Sequence, residues 1–161
     1  MVREKGFSLV ELLIVVAIIL IIAAIAIPNL MRSRIAANEA AAVSGIRAIT
    51  TAEHAYNQTY PQIGFTCTIS ELGPPPNPTD PPTETAAGIL DPVIAAGAKS
   101  GYSYALANCV GTPRASFESA ATPLQIGSSG QRSFCSDSSG VIRYSEDGLA
   151  ASCKAGNKIL Q

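Results

Sequence analysis

Residues 7–27, FSLVELLIVVAIILIIAAIAI, hold 21 positions of which only Ser8 and Glu11 are polar. As a helix they would run about 31 Å at roughly 1.5 Å per residue, close to the roughly 30 Å hydrocarbon core of a bilayer. Pro28 interrupts this run, because its ring removes a backbone donor and crowds the carbonyl of Ala24. Helical patterning then resumes. Met31, Ile35, Ala42, Val43, Ile46 and Ile49 recur at helical spacings and form an amphipathic stripe. Arg32, Arg34, Asn38, Glu39 and Arg47 are expected mainly on other faces. The stripe fades near Tyr56, and Pro61 ends any helix. The pattern predicts one helix of about 50 residues, roughly 75 Å long, with a kink at Pro28.

The helical period does not return. Residues 57–100 read as one long irregular loop whose centre, GPPPNPTDPP at 73–82, is too proline-rich for a helix or a central strand. An extended or polyproline-type course is expected there, with a short helical turn between Ile89 and Ala98. From residue 101 the period becomes two. Tyr102, Tyr104 and Leu106 alternate with small residues up to Val110, which predicts a strand, and residues 115–121 predict a second. Residues 131–136 and 141–145 flank the turn cluster Asp137-Ser138-Ser139-Gly140 and read as a hairpin. The tail, 146–161, reads as mostly loop. The fold class is therefore α+β: a long N-terminal helix packed on a small antiparallel sheet.

Composition adds a constraint. Of the 134 residues after position 27, 55 are apolar, and 21 of those are Ala. Large apolar side chains are thus sparse, and crosslinks or neighbouring subunits are expected to supplement the core. Charged residues make up 14% of the chain, against about 25% in a typical soluble domain. The net charge of −1 shows no nucleic-acid footprint.

Cys67, Cys109, Cys135 and Cys153 all follow the apolar run, and no CxxC pair exists. An even count in a polar domain beyond a membrane segment points to disulfides in an oxidising compartment. Sequential pairing, Cys67 with Cys109 and Cys135 with Cys153, closes the shortest loops and is favoured among the three connectivities; four buried thiols are the bland alternative.

Three readings of the N-terminus compete. A cleavable secretory signal would use Ala24-Ile25-Ala26 as its small-x-small site. A plain anchor would stay intact. A prepilin-type segment would be cut before the apolar run, after Gly6. Glu11 discriminates, because a carboxylate within a membrane helix costs roughly 2.5–3.5 kcal/mol and neither of the first two readings needs it. Cleavage after Gly6 would free the amine of Phe7, and Glu11 of a neighbouring subunit could neutralise it. Two unit charges about 4 Å apart gain roughly 4 kcal/mol at an effective dielectric near 20. A snorkelling Glu11 is the simpler alternative.

Gly6-Phe7-Ser8-Leu9-Val10-Glu11 through Ile19, followed by Ala23-Ala24-Ile25-Ala26-Ile27-Pro28, resembles the N-terminal segment of the type IV pilin and type II secretion pseudopilin superfamily. The resemblance is strong over residues 5 to 56 and weak beyond. It implies a leader, 1–6, removed by a prepilin peptidase, and N-methylation of Phe7. It assigns Glu11 to charge pairing in assembly and Pro28 to the helix interruption. It implies a filament-core half of the helix, 7–27, an amphipathic half, 28–56, a loop, 57–100, and a sheet with a C-terminal disulfide loop, 101–161, closed by Cys135 and Cys153. The implied partners are further copies of the chain, the prepilin peptidase, an inner-membrane assembly platform with its ATPase, and inner-membrane lipid before assembly. The implied location is the inner membrane, then an extracellular pilus or a periplasmic pseudopilus. Adhesion, motility and DNA uptake stay open.

No nucleophile motif, phosphate loop or paired-carboxylate arrangement appears, so neither enzyme activity nor a cofactor is expected. His54, the single histidine, is expected to be solvated or packed. Asp137, Glu146 and Asp147 lack EF-hand spacing, and turn or solvent roles are expected for them. Asn57-Gln58-Thr59 matches a glycosylation sequon that chance also produces. The expected function is a structural filament subunit. A type IV pilus-like filament is preferred over a pseudopilus. An anchored or secreted extracytoplasmic binding domain is the rival from another class.

Overall fold

The structure is a computed structural model that describes residues 7–156 and 158–160. Residues 1–6, expected to be a removed leader and with Gly6 among them, lie outside the described residues. The chain divides into two units, residues 1–34 and 35–161.

Helix α1 runs unbroken from Leu9 to Thr59 and carries Pro28 inside it. In the first unit the helix is almost wholly exposed. Near Pro28, where a backbone donor is missing, the Asn29 side-chain amide donates to the Ile25 carbonyl at 3.1 Å and the Ser33 hydroxyl to the Asn29 carbonyl at 3.0 Å. Such local bonds re-satisfy carbonyls around a helix proline.

The second unit is built on the rest of α1. Ala42, Ile46, Ile49, Ala52 and Tyr56 are buried on one stripe of the helix. They pack with Leu72, Leu90 and Ile94 from the loop and with Tyr102, Tyr104, Ala121 and Phe134 from the sheet. Gly45 lets the helix approach Tyr104: a Cβ there would lie 2.6 Å from the ring. The stripe also takes in Glu39 and Glu53, both buried. Glu39 therefore departs from the sequence expectation that it would fall on another face. It follows Ile35 by four residues and precedes Ala42 by three, in phase with the apolar stripe.

The sheet has five antiparallel strands in sequential order: β1 (Ala98–Lys99), β2 (Tyr102–Gly111), β3 (Arg114–Pro123), β4 (Ser133–Asp137) and β5 (Arg143–Ser145). Registers Tyr104↔Ala121 and Ala121↔Phe134 carry the buried face across β2, β3 and β4. The ladder slips between Ala107 and Val110, where Asn108 adopts φ 53°, a left-handed value that Asn tolerates better than most residues.

The loop is more ordered than its composition suggests. A 3-10 turn, Ile69–Leu72, buries Leu72. Asp80 closes a turn onto the Asn77 carbonyl at 3.0 Å, so the proline-rich centre is bent there and not extended throughout. Helix α2 is only Pro92–Ala95; the Asp91 carboxylate caps it by accepting the Val93 and Ile94 N–H groups. The tail, expected to be loop, contains α3 (Ala150–Ala155). Cys153 anchors that turn: it is fully buried and bonded to Cys135 of β4. Cys67 is bonded to Cys109 of β2. The two bridges close loops of 42 and 18 residues, worth about 4 and 3 kcal/mol in the chain-entropy account.

Candidate assembly segment and its anchoring

Among the described residues, the apolar segment of α1 is a continuous unburied surface. The most apolar window of α1 has a mean hydropathy of 3.3, and none of it is buried. Phe7 and Leu9 are 80% and 78% exposed, and the large apolar side chains from Leu12 to Ile27 are 46–65% exposed. A contiguous apolar face of this size requires lipid or protein around it.

At its start, the Ser8 N–H donates to Glu11 Oε2 at 2.9 Å, and the Ser8 carbonyl accepts from Leu12 N–H at 3.2 Å. This is one arm of a capping box, S-x-x-E, in which the glutamate of the first turn satisfies an orphan donor of the helix N-terminus. The motif stands in the sequence as Ser8-Leu9-Val10-Glu11, and sequence reasoning that sought an intermolecular partner for Glu11 passed over it. The arrangement places the carboxylate beside the backbone that Phe7 leads into. Glu11 is thus oriented toward the N-terminal end of the helix without any second chain. Phe7 is described and exposed, whereas Gly6 lies outside the described residues.

Two buried carboxylates fasten α1 to the rest of the second unit. Glu39 Oε2 accepts from Arg132 Nε at 2.9 Å and Nη2 at 2.7 Å, while Oε1 accepts the Gln131 and Arg132 backbone N–H groups at 3.1 Å. Four donors converge on one carboxylate. Burial works to raise its pKa, but the Arg132 and backbone hydrogen bonds outweigh it and hold the group below its ordinary value. The Arg132 guanidinium also lies 5.5 Å from the Phe134 ring centroid and 5.4 Å from that of Tyr144, within cation–π range. Beside this clamp, the Asn38 amide donates to the Ser129 carbonyl at 2.7 Å.

Glu53 differs. Its Oε2 accepts the Thr66 N–H at 2.9 Å, but Oε1 is buried with no partner. Thr66 in turn donates its hydroxyl to Glu71. Burial pushes the Glu53 carboxyl up to about 8, the nearby Glu71 charge adds to this, and the Thr66 N–H and Arg114 oppose it. A protonated Glu53 at neutral pH is the consequence.

The other singled-out residues have ordinary surroundings. His54 packs edge-on against Phe65 and Phe117, with centroids 5.6 and 6.3 Å away. Asp137 pairs with Arg143 at 2.8 Å, Glu146 with Lys158 at 2.9 Å, and Asp147 accepts the Leu149 N–H at 2.9 Å. The three acids are thus engaged with different partners. Asn57 lies half-buried within α1, unlike the exposed loop that a sequon acceptor occupies.

Residues 1–27 match the family model described as the prokaryotic N-terminal methylation motif. Type IV major pilin protein PilA of Myxococcus xanthus is 44% identical over 54 residues, covering 34% of this chain and 24% of that protein. Type IV wide pilus major component PilA4 of Thermus thermophilus is 60% identical over 37 residues, 23% of this chain and 28% of that protein. Type II secretion system core protein G of Dickeya chrysanthemi is 31% identical over 87 residues, 51% of this chain and 57% of that protein. The chain thus spans between about a quarter and somewhat over half of these relatives' lengths. No solved structure matches it.

Proposed function

We propose that this chain, a homologue of type IV pilins and of type II secretion protein G with an N-terminal methylation motif, is the structural subunit of a type IV pilus-like filament. The observation that carries the reading is the exposed apolar half of α1, which follows the motif's glycine directly and continues without a break into a helix packed on a sheet. A prepilin peptidase cuts after Gly6 and methylates Phe7. Residues 7–27 then span the inner membrane of the precursor. An assembly platform and its ATPase move the helices out of lipid and into a bundle, where Ala17, Ala23, Ala24 and Ala26 permit close approach. Glu11 of one copy neutralises the Phe7 amine of another, and Pro28 marks where the helix yields between its two halves. The role is structural and not catalytic.

A periplasmic pseudopilus is the second reading, favoured by the type II secretion relative, which shares 87 residues with this chain and reaches beyond α1.

N-terminal mass spectrometry of the mature protein tests the processing step. N-methyl-Phe7 is expected; a start at Ile27 or an intact Met1 would overturn the reading. Electron microscopy of sheared surface material is expected to show filaments, whereas fibres confined to the periplasm would favour the pseudopilus. Glu11→Ala is expected to insert in the membrane normally and to lose filaments. Normal filaments from that variant would remove the charge-pairing role.

A further inference from the structure

Beyond the apolar segment, the chain neutralises its charges unevenly. Among the described residues, five ion pairs, Lys99–Asp91, Arg132–Glu39, Arg143–Asp137, Lys154–Glu118 and Lys158–Glu146, engage every lysine and arginine after α1 except Arg114. Arg114 is half-buried and donates to the Phe65 carbonyl. The remaining cations, Arg32, Arg34 and Arg47, all lie on α1. They are exposed and have no ion-pair partner among the described residues. Exposed carboxylates without a cation stand elsewhere: Asp80 and Glu84 bracket Pro81 and Pro82 in the loop, and Asp147 is held by its own turn.

Arg47 borders a groove of about 360 Å³ in the second unit, lined by the apolar side chains of Ala36, Ala40, Val43, Phe134 and Leu160 and by Glu39 and Arg132, which neutralise each other and leave Arg47 as its unpaired charge among the described residues. The groove floor on α1 is made of small residues. The Asp80–Glu84 segment has the complementary character: two exposed proline rings between two acids. Proline fixes the backbone before docking, so little conformational freedom is lost on contact.

We propose that the Asp80–Glu84 segment of one copy seats in the Arg47 groove of the next, with Pro81 and Pro82 on the apolar floor and the two carboxylates on the Arg47 guanidinium. The donor surface and the acceptor surface differ. The contact is therefore head-to-tail, the class that builds an open helical filament when its rotation does not close into a ring. This inference rests on the filament reading above and names a contact within it.

The test uses the full-length chain in cells that carry the assembly machinery. Arg47→Glu and the pair Asp80→Lys/Glu84→Lys each place like charges at the contact. Each is expected to lower the yield of sheared filaments by about tenfold or more, while the triple charge reversal restores it to within about threefold of wild type. Arg47→Gln, which only removes the charge, is expected to fall between wild type and Arg47→Glu. Thermal unfolding of each detergent-solubilised variant, with intact disulfides, confirms that the subunit itself is folded. Wild-type yield from either reversal, or a folded triple variant that stays as poor as its parents, would overturn the contact while leaving the filament reading in place. A wild-type chain that forms no filament would overturn both.

Discussion

At the scale of single residues, the two buried glutamates of α1 respond to pH with opposite signs. Glu39 is held below its ordinary pKa by Arg132 and two backbone N–H groups, so its contribution is present at neutral pH and is lost as acid protonates it. Glu53 is held above, at about 8. Between pH 4.5 and 8 the folded chain keeps a proton that the unfolded chain has released, so stability falls as pH rises through that window. We expect the midpoint of thermal unfolding to drop between pH 5 and pH 9, and Glu53→Gln to flatten that drop. An unchanged slope in the variant would show that Glu53 is not the group responsible. Both acids sit in phase with Ala42, Ile46, Ile49 and Tyr56, a spacing signal that the expectation of another face for Glu39 overlooked. Their partners carry no such signal: Arg132 and Thr66 arrive from distant parts of the chain, 93 and 13 residues away. The Ser8–Glu11 contact, three residues apart, was fully local and equally present in the sequence as a motif.

At the scale of elements, α1 was legible because composition, period and length all agree over its course. The strands β2 to β5 were legible in outline from alternation and from the turn at Asp137–Gly140. The two-residue β1 was not, since so short a segment has no period. Helix α3 was not either: six residues carry too few turns to display a stripe, and a tertiary crosslink at Cys153 holds them. Packing between α1 and the sheet depends on a single hydrogen atom at Gly45. Gly45→Ala would place a methyl 2.6 Å from the Tyr104 ring, and the buried ring has little room to turn aside. We expect a loss of about 1–3 kcal/mol from overpacking, despite the better helix propensity of alanine. Denaturant unfolding of the two proteins side by side measures it, and an equal or higher midpoint for the variant would contradict this packing account.

At the scale of the whole molecule, the chain joins a unit that is all surface to one that has its own core. The second unit contains the clamp, both disulfides and every strand. A chain starting at Ile35 is therefore expected to be soluble without detergent, to form both disulfides and to unfold cooperatively. Aggregation of that fragment, or mixed disulfides in non-reducing peptide maps, would show that the apolar segment is needed for folding. The sheet bears on self-association in a different way. Its borders are β5, three residues long, and, beyond the two-residue β1 with Lys99 in it, the outer side of β2 from Ala105 to Gly111, whose ladder partner is β3 alone. The outer side of β5 is already occupied: Tyr144 N–H donates to the Lys158 carbonyl and Leu160 N–H to the Ile142 carbonyl, both at 2.9 Å. The occupied β5 edge denies a neighbour the row of unpaired backbone groups on which amyloid-like stacking begins, and on the β2 side the bulge between Ala107 and Val110 breaks that row. A protein concentrated among its own copies is thereby protected from joining them through its strands, and ordered growth is left to the helix and the side-chain surfaces.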